Sequence, residues 1–159
     1  MLDGGFYKCR VAVVDFCRFA IISDDMTDPN CLNKKVIMVI DEEPEVVGSY
    51  KEFLEVEGFQ VEMITSGKVA MLRMEGMVRG EEDISSLIVL DLLLPDISGL
   101  AILEAIRKQP VFDNTFVVIF TNYRSDTFKE STEKMHKVRY LSKADTSPAD
   151  LTTIVKANT

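Results

Sequence analysis

The chain has 159 residues, of which 47% are apolar and 28% are charged, so it is long enough for one folded domain and too apolar to be disordered. Its net charge of −8 disfavours binding to nucleic acid, because attraction to phosphates requires clustered lysine and arginine. Three cysteines without a CxxC pair and a single histidine disfavour a structural zinc site.

Residues 1–33 are predicted to be an N-terminal extension or linker that differs from the rest of the chain. An apolar patch, "RVAVVDFCRFAII" at 10–22, precedes the polar stretch "DDMTDPNCLNKK" at 24–35. The patch is too short and too charged to span a membrane and makes a poor signal peptide, so we expect a cytoplasmic protein that does not use a membrane. It is open whether the patch is an edge strand, a dimer contact or an ill-ordered tail, and whether the natural start is Met26.

From Lys34 onward the pattern predicts strands that alternate with helices. Runs of apolar, β-branched residues indicate strands, and apolar residues three or four positions apart indicate helices. The first half is predicted as strand 36–40, helix 44–57, strand 59–64, a helix from 66 through 74 or a little beyond, and loop 75–86. The second half is predicted as strand 87–90, a helix marked by Ile102, Leu103 and Ile106 that ends near Pro110, strand 116–120, a weakly helical segment 125–136, strand 138–141 and helix 147–156.

The predicted fold class is α/β, with a doubly wound, five-stranded parallel sheet in one domain spanning 34–159. The strands 36–40, 87–90 and 116–120 are apolar throughout, as expected where helices cover both faces of a parallel sheet. Ligands of such sheets bind beyond the carboxyl ends of the strands. The residues that follow each strand are therefore the candidate site.

Polar side chains follow four of the five predicted strands. They are Asp41 and Glu42 after the first strand, Asp91 after the third, Thr121 and Asn122 after the fourth, and Lys143 after the fifth. Taken singly, each could be a helix cap or a turn residue. If these residues were unrelated caps, however, we would not expect carboxylates, a hydroxyl and an amine together at one edge of a sheet.

Three carboxylates in one place repel one another unless protons or a cation intervene. Mg²⁺ fits such a site because it prefers a few carboxylates together with water and phosphate oxygens. A carboxylate beside a metal, a hydroxyl and an ammonium is the set of groups needed to accept a phosphoryl group, where catalysis is mainly positioning and charge neutralisation. Asp91, at the end of a buried strand, is the predicted nucleophile.

These residues resemble the receiver domain of two-component response regulators over about 34–156. The resemblance rests on "VIMVIDEEP" at the first strand, "VLDLLLPDISGL" around Asp91, "VVIFTN" at the fourth strand and "RYLSKAD" at the fifth. In the phosphorylation motif of that family, the aspartate is followed by proline four residues later and by glycine eight residues later. The resemblance implies a flavodoxin-like sheet with strand order 2-1-3-4-5 and a single-domain regulator similar to the chemotaxis response regulator.

The resemblance also implies a role for each candidate residue. Asp91 would be the phosphoacceptor, and Mg²⁺ would be held by Asp41, Glu42, Asp91 and the backbone carbonyl of Leu93. The phosphoryl group would be bound by the Thr121 hydroxyl, the Lys143 ammonium and the backbone N–H groups of Leu92 and Asn122. Tyr140 would be the switch aromatic, for which plain packing in the strand is the alternative.

As implied partners, a histidine kinase or a histidine phosphotransfer protein would donate the phosphoryl group. A downstream protein would bind the face formed by the fourth helix, fifth strand and fifth helix. From the length of the chain we expect no DNA-binding module, a question left open only for residues 1–33. We expect no enzyme activity beyond self-phosphorylation from small donors and slow self-dephosphorylation. Self-dephosphorylation of Asp91 is expected to be slow, because Leu93 is apolar and Asn122 is bulkier than the small residue that the family usually has at that position.

The chain departs from the family pattern where Ala144 replaces the usual proline after Lys143, and where no Gly-Ala precedes the fifth strand.

An aspartyl-phosphate hydrolase is disfavoured, because such enzymes use a second aspartate where this chain has Leu93. A receiver-like interaction module that does not accept phosphate is the remaining alternative.

Overall fold

The computed structural model describes residues 35–159, and the predicted extension at 1–33 lies outside the described residues. Five strands alternate with five helices, as the sequence predicts. In chain order they are β1 (Val36–Ile40), α1 (Pro44–Val56), β2 (Gln60–Ile64), α2 (Gly67–Val78), β3 (Leu87–Leu90), α3 (Gly99–Lys108), β4 (Phe116–Thr121), α4 (Asp126–Glu133), β5 (Val138–Ser142) and α5 (Pro148–Ala157). No helix in this part of the chain is long and apolar enough to cross a membrane.

The strands form one parallel sheet in the order β2-β1-β3-β4-β5, which confirms the predicted fold class and strand order. The register aligns the carboxyl ends of the three central strands. Ile40 pairs with Leu90, and Leu90 pairs with Ile119. The residues that follow β1 and β3 therefore lie side by side, and Thr121 lies at the same edge of the sheet.

Alternating side chains of the strands form an apolar core on each face of the sheet. On one face, the strand residues pack against α2 and α3, with Ile102 and Ile106 fully buried. On the other face they pack against α1 and α5, through Leu54 and Val155. The apolar runs in the central strands are explained by this double coverage, because both faces of those strands are dry.

The second helix is longer than the sequence predicts, because residues 75–78 belong to α2 rather than to a loop. Met77 is buried and continues the helical spacing of Ala70 and Met74. The residue that ends this region is Gly80, which adopts a positive φ of 69°. The other predicted boundaries agree with the structure to within a few residues.

Candidate functional site

Asp91 lies at the carboxyl edge of the sheet, directly after β3, and is only 4% exposed. Its backbone N–H donates to the carbonyl of Ile40 at 2.8 Å, which extends the pairing of β3 with β1 by one residue. Its side-chain Oδ1 accepts a hydrogen bond from the backbone N–H of Leu93 at 3.0 Å. Oδ1 is thus held by the backbone of the loop, and Oδ2 contacts the ammonium of Lys143.

The ammonium of Lys143 joins two of the predicted carboxylates. Its Nζ lies 2.6 Å from Oδ2 of Asp91 and 2.7 Å from Oδ2 of Asp41, and its side chain is only 5% exposed. Lys143 begins a short 3₁₀ turn that spans Lys143–Asp145. No cis peptide bond occurs between residues 35 and 159, so the bond from Lys143 to Ala144 is trans.

Burial and charge act in opposite directions on these groups. Burial raises the pKa of Asp41 above its usual 3.8, and hydrogen bonds from Lys143 and from the Glu43 amide only partly offset this. Burial alone would lower the pKa of Lys143, but its hydrogen bonds with Asp41 and Asp91, together with their negative charges, raise it above 10.5. Lys143 is therefore a permanent cation at neutral pH, held between two carboxylates.

The third predicted carboxylate does not join this group. Glu42 is exposed, whereas Glu43 lies 3.4 Å from the Lys143 ammonium. Among residues 35–159, no three histidine, cysteine or acidic side chains are placed to hold a metal ion in this structure, and the set of Asp41, Glu42 and Asp91 as metal ligands stays a prediction. The neighbouring carboxylates of Asp41 and Asp91 still fit Mg²⁺, which is usually held by one or two carboxylates with water and phosphate oxygens.

Thr121 and Tyr140 contact the same residue in the loop between β4 and α4. Thr121 is fully buried, and its Oγ1 accepts a hydrogen bond from the backbone N–H of Tyr123 at 3.2 Å. The Tyr140 ring is buried, and its hydroxyl donates to the carbonyl of Tyr123. The peptide groups of Tyr123 therefore connect the predicted hydroxyl ligand with the predicted switch aromatic, and no sequence pattern indicated this residue.

The remaining predicted site residues flank the carboxylate. Leu92 is buried and Leu93 is 50% exposed, immediately after Asp91. Asn122 is exposed at the end of β4. The roles predicted for the backbone groups of these residues stay predictions.

The loop after Asp91 is closed by a glycine and anchored by a carboxylate. The N–H of Gly99 donates to the carbonyl of Leu92 at 3.1 Å, and a Cβ at position 99 would come within 2.0 Å of the Asp91 carbonyl oxygen. The Asp96 carboxylate accepts hydrogen bonds from the Ser66 hydroxyl at 2.6 Å and from the Gly67 N–H at 2.8 Å. This pairing at the start of α2 fixes the loop against a rigid helix.

Asp96 is expected to make stability depend on acidity. Its hydrogen bond with Ser66, followed by those from backbone N–H groups, holds the pKa of this carboxyl well below 3.8. A depressed pKa in the folded state stabilises the fold fully above the unfolded value of 3.8, and the contribution is lost as the pH falls below it. Asp96→Asn should therefore unfold at lower urea than the wild type at pH 7, and the difference should narrow below pH 3.8.

The control for this prediction is Asp83→Asn, since Asp83 is an exposed carboxylate in the loop before β3. Its urea midpoint at pH 7 should equal that of the wild type. An Asp96→Asn midpoint equal to the wild-type value at pH 7 would contradict the anchoring role.

Comparison with known proteins shows what the chain is similar to. Residues 37–156 match the family model of the response regulator receiver domain. The regulatory protein VanRc of Enterococcus gallinarum is 37% identical over 76 residues, which cover 48% of this chain and 30% of that protein. The chain spans about a third of the length of the first curated relatives it matches.

Solved structures with the same fold include receiver domains. A CheY-like receiver domain from Methanospirillum hungatei is 26% identical with a TM-score of 0.63, covering 79% of this chain and 93% of that one. The response regulator Rcp1 in its Mn²⁺-bound form has a TM-score of 0.65 at 23% identity, covering 77% of this chain and 90% of that one.

Proposed function

Because this chain belongs to the receiver-domain family of response regulators, we propose that Asp91 accepts a phosphoryl group from a phosphohistidine donor and thereby switches a protein-binding surface. Members of this family are signalling modules of two-component systems that interact with histidine kinases and downstream effectors, and they generally bind Mg²⁺. One observation carries the proposal: the Lys143 ammonium lies between Asp41 and Asp91 at the edge where Thr121 also lies.

In the proposed transfer, the Asp91 Oδ2 atom forms a bond with phosphorus while the bond between phosphorus and the donor imidazole nitrogen breaks. The donor histidine keeps the electron pair of that bond and takes up a proton. The Lys143 ammonium offsets negative charge on the transferred group, and the Thr121 hydroxyl can donate to one of its oxygens. Such a reaction depends mainly on positioning and on charge neutralisation, which these fixed groups supply.

The proposed metal ligands are Asp41, Glu42, Asp91 and the backbone carbonyl of Leu93. When bound, Mg²⁺ would neutralise charge on the carboxylates and on the phosphoryl oxygens. The structurally similar response regulator Rcp1 is known in a Mn²⁺-bound form, which supports the proposal of a divalent cation. The exposed Glu42 side chain would have to turn towards Asp41 to take part directly or through water.

The proposed output surface is the face formed by α4, β5 and α5, where a downstream protein would bind. Thr121 and Tyr140 both hydrogen-bond to Tyr123, so a Thr121 hydroxyl that turns to a phosphoryl group would release the Tyr123 N–H. This change would alter the population of conformations of the loop that leads into α4.

We also propose the cytoplasm as the compartment, because phosphohistidine donors of this kind are made there from ATP.

The proposal is tested by incubating the protein with acetyl phosphate and Mg²⁺ and measuring its intact mass. The wild type should gain one phosphoryl group, and Asp91→Ala should gain none. After removal of the donor, the exposed apolar side chain of Leu93 and the bulk of Asn122 predict a slow loss of the added mass. No gain with acetyl phosphate or a phosphohistidine donor would overturn the proposal and favour an interaction module that does not accept phosphate.

A further inference from the structure

The hydroxyl of Ser142, the last residue of β5, is buried and has no hydrogen-bond partner within residues 35–159. Buried hydroxyls are nearly always hydrogen-bonded, because burial without a partner costs free energy. An unpaired hydroxyl next to a candidate site therefore calls for a functional explanation. Ser142 also directly precedes Lys143, whose ammonium contacts Asp91.

Ser142 lies across from Thr121 in the sheet. The register of the parallel pair β4 and β5 matches Thr121 with Ser142. Side chains two positions apart on a strand share a face, so Ser142 lies on the face of Tyr140, and Thr121 lies on the face of Ile119. Tyr140 and Ile119 belong to the same apolar cluster, so the two hydroxyl-bearing residues are neighbours on one face of the sheet.

Thr121 has a different partner in the present conformation. Its Oγ1 accepts the backbone N–H of Tyr123 at 3.2 Å. If the Thr121 hydroxyl turns to donate to a phosphoryl oxygen, Oγ1 gives up this N–H and gains the capacity to accept another hydrogen bond. The strand register pairs Thr121 with Ser142, whose hydroxyl has no partner and can donate.

We propose that Ser142 is a positioning residue whose hydroxyl donates to Oγ1 of Thr121 once Thr121 has turned to the phosphoryl group. The inference rests on the proposed function. Before phosphorylation, Thr121 is held by Tyr123 and Ser142 is unpaired. After phosphorylation, Ser142 holds Thr121 in the new orientation. The hydrogen bond is made only in the phosphorylated conformation, so Ser142 favours that conformation over the other.

The test uses beryllofluoride, a mimic of the phosphoryl group, titrated into the full chain with Mg²⁺ while the Tyr123 amide is followed by NMR. Ser142→Ala should weaken binding of beryllofluoride about three- to tenfold, the usual worth of one hydrogen bond. Its urea midpoint without beryllofluoride should equal or exceed that of the wild type, because the variant removes an unpaired buried hydroxyl. Ser142→Thr, which keeps the hydroxyl, should restore binding.

A double-mutant cycle isolates the coupling between the two hydroxyls. In a Thr121→Ala background, Ser142→Ala should cause no further weakening. Additive effects of the two substitutions, or wild-type affinity in Ser142→Ala, would overturn this inference while leaving the proposed function intact. If the wild type bound beryllofluoride no better than Asp91→Ala does, the proposed function and this inference would both fail.

Discussion

Gly99→Ala is expected to lower the free energy of unfolding by about 3 kcal/mol or more, although it adds only one methyl group. A Cβ at this position would lie 2.0 Å from the carbonyl oxygen of Asp91 and 2.7 Å from the Cα of Leu92. Both neighbours are backbone atoms, so no side-chain rotation can relieve the contact. The backbone that carries Asp91 must move, and we expect phosphorylation from acetyl phosphate to fall as well.

Urea denaturation of wild type and variant measures the loss of stability, and intact mass measures the loss of phosphorylation. The matched control is Gly48→Ala in α1, where nothing lies within 4 Å of the added Cβ. That variant should be more stable by about 0.5–1 kcal/mol, because glycine in a helix interior is costly. Gly99→Ala as stable as the wild type would show that the loop after Asp91 tolerates the methyl group.

The fold was predictable because local patterns of apolar residues along the chain indicate its strands and helices. Continuous apolar runs such as residues 36–40 arise because helices cover both faces of the sheet, and the same runs place polar residues at its carboxyl edge. The end of α2 was predicted too early, because the burial of Met77 extends the helix through Gly76 despite the low helix propensity of glycine. Tertiary packing, which a local pattern does not contain, decided that boundary.

The sequence predicted which residues lie at the carboxyl edge of the sheet. It did not predict which of their atoms are in contact. Asp41 and Asp91 were expected together, and they share the Lys143 ammonium. The sequence could not show that Glu43, rather than Glu42, lies beside Lys143, because the choice depends on how the chain turns from β1 into α1. Glu43 could have been suspected only from its place in the acidic run "DEE".

Asp96 and Tyr123 were missed for a different reason. Each acts across the fold: Asp96 accepts hydrogen bonds from residues about thirty positions earlier, and Tyr123 receives its bond from Tyr140 on the next strand. The sequence spacing of such partners carries no periodic signal. These hydrogen bonds depend on how the strands and helices pack, so they are recognised only in the folded structure.

Lys143→Met is expected to lower the free energy of unfolding at pH 7 by about 3 kcal/mol in the absence of Mg²⁺. The substitution keeps most of the side-chain volume but leaves two buried carboxylates, Asp41 and Asp91, without their shared cation. Because the pKa of Lys143 is raised in the folded state, its contribution is complete below pH 10.5 and is lost only as the pH rises through the folded value. Urea denaturation at pH 7 therefore measures it in full.

The control is Lys156→Met, since Lys156 lies 2.6 Å from Glu57 but both side chains are about half exposed. Removing that exposed pair should cost less than about 1 kcal/mol. In Lys143→Met, addition of Mg²⁺ should recover part of the stability, because a ligand that binds only the folded state stabilises it by mass action. Mg²⁺ should stabilise Lys156→Met only as much as it stabilises the wild type, because both keep Lys143 between Asp41 and Asp91. Equal losses in the two variants, with no extra gain from Mg²⁺ in Lys143→Met, would mean that Asp41 and Asp91 do not need a cation between them, and the charge argument for a phosphoryl-accepting site would then fail.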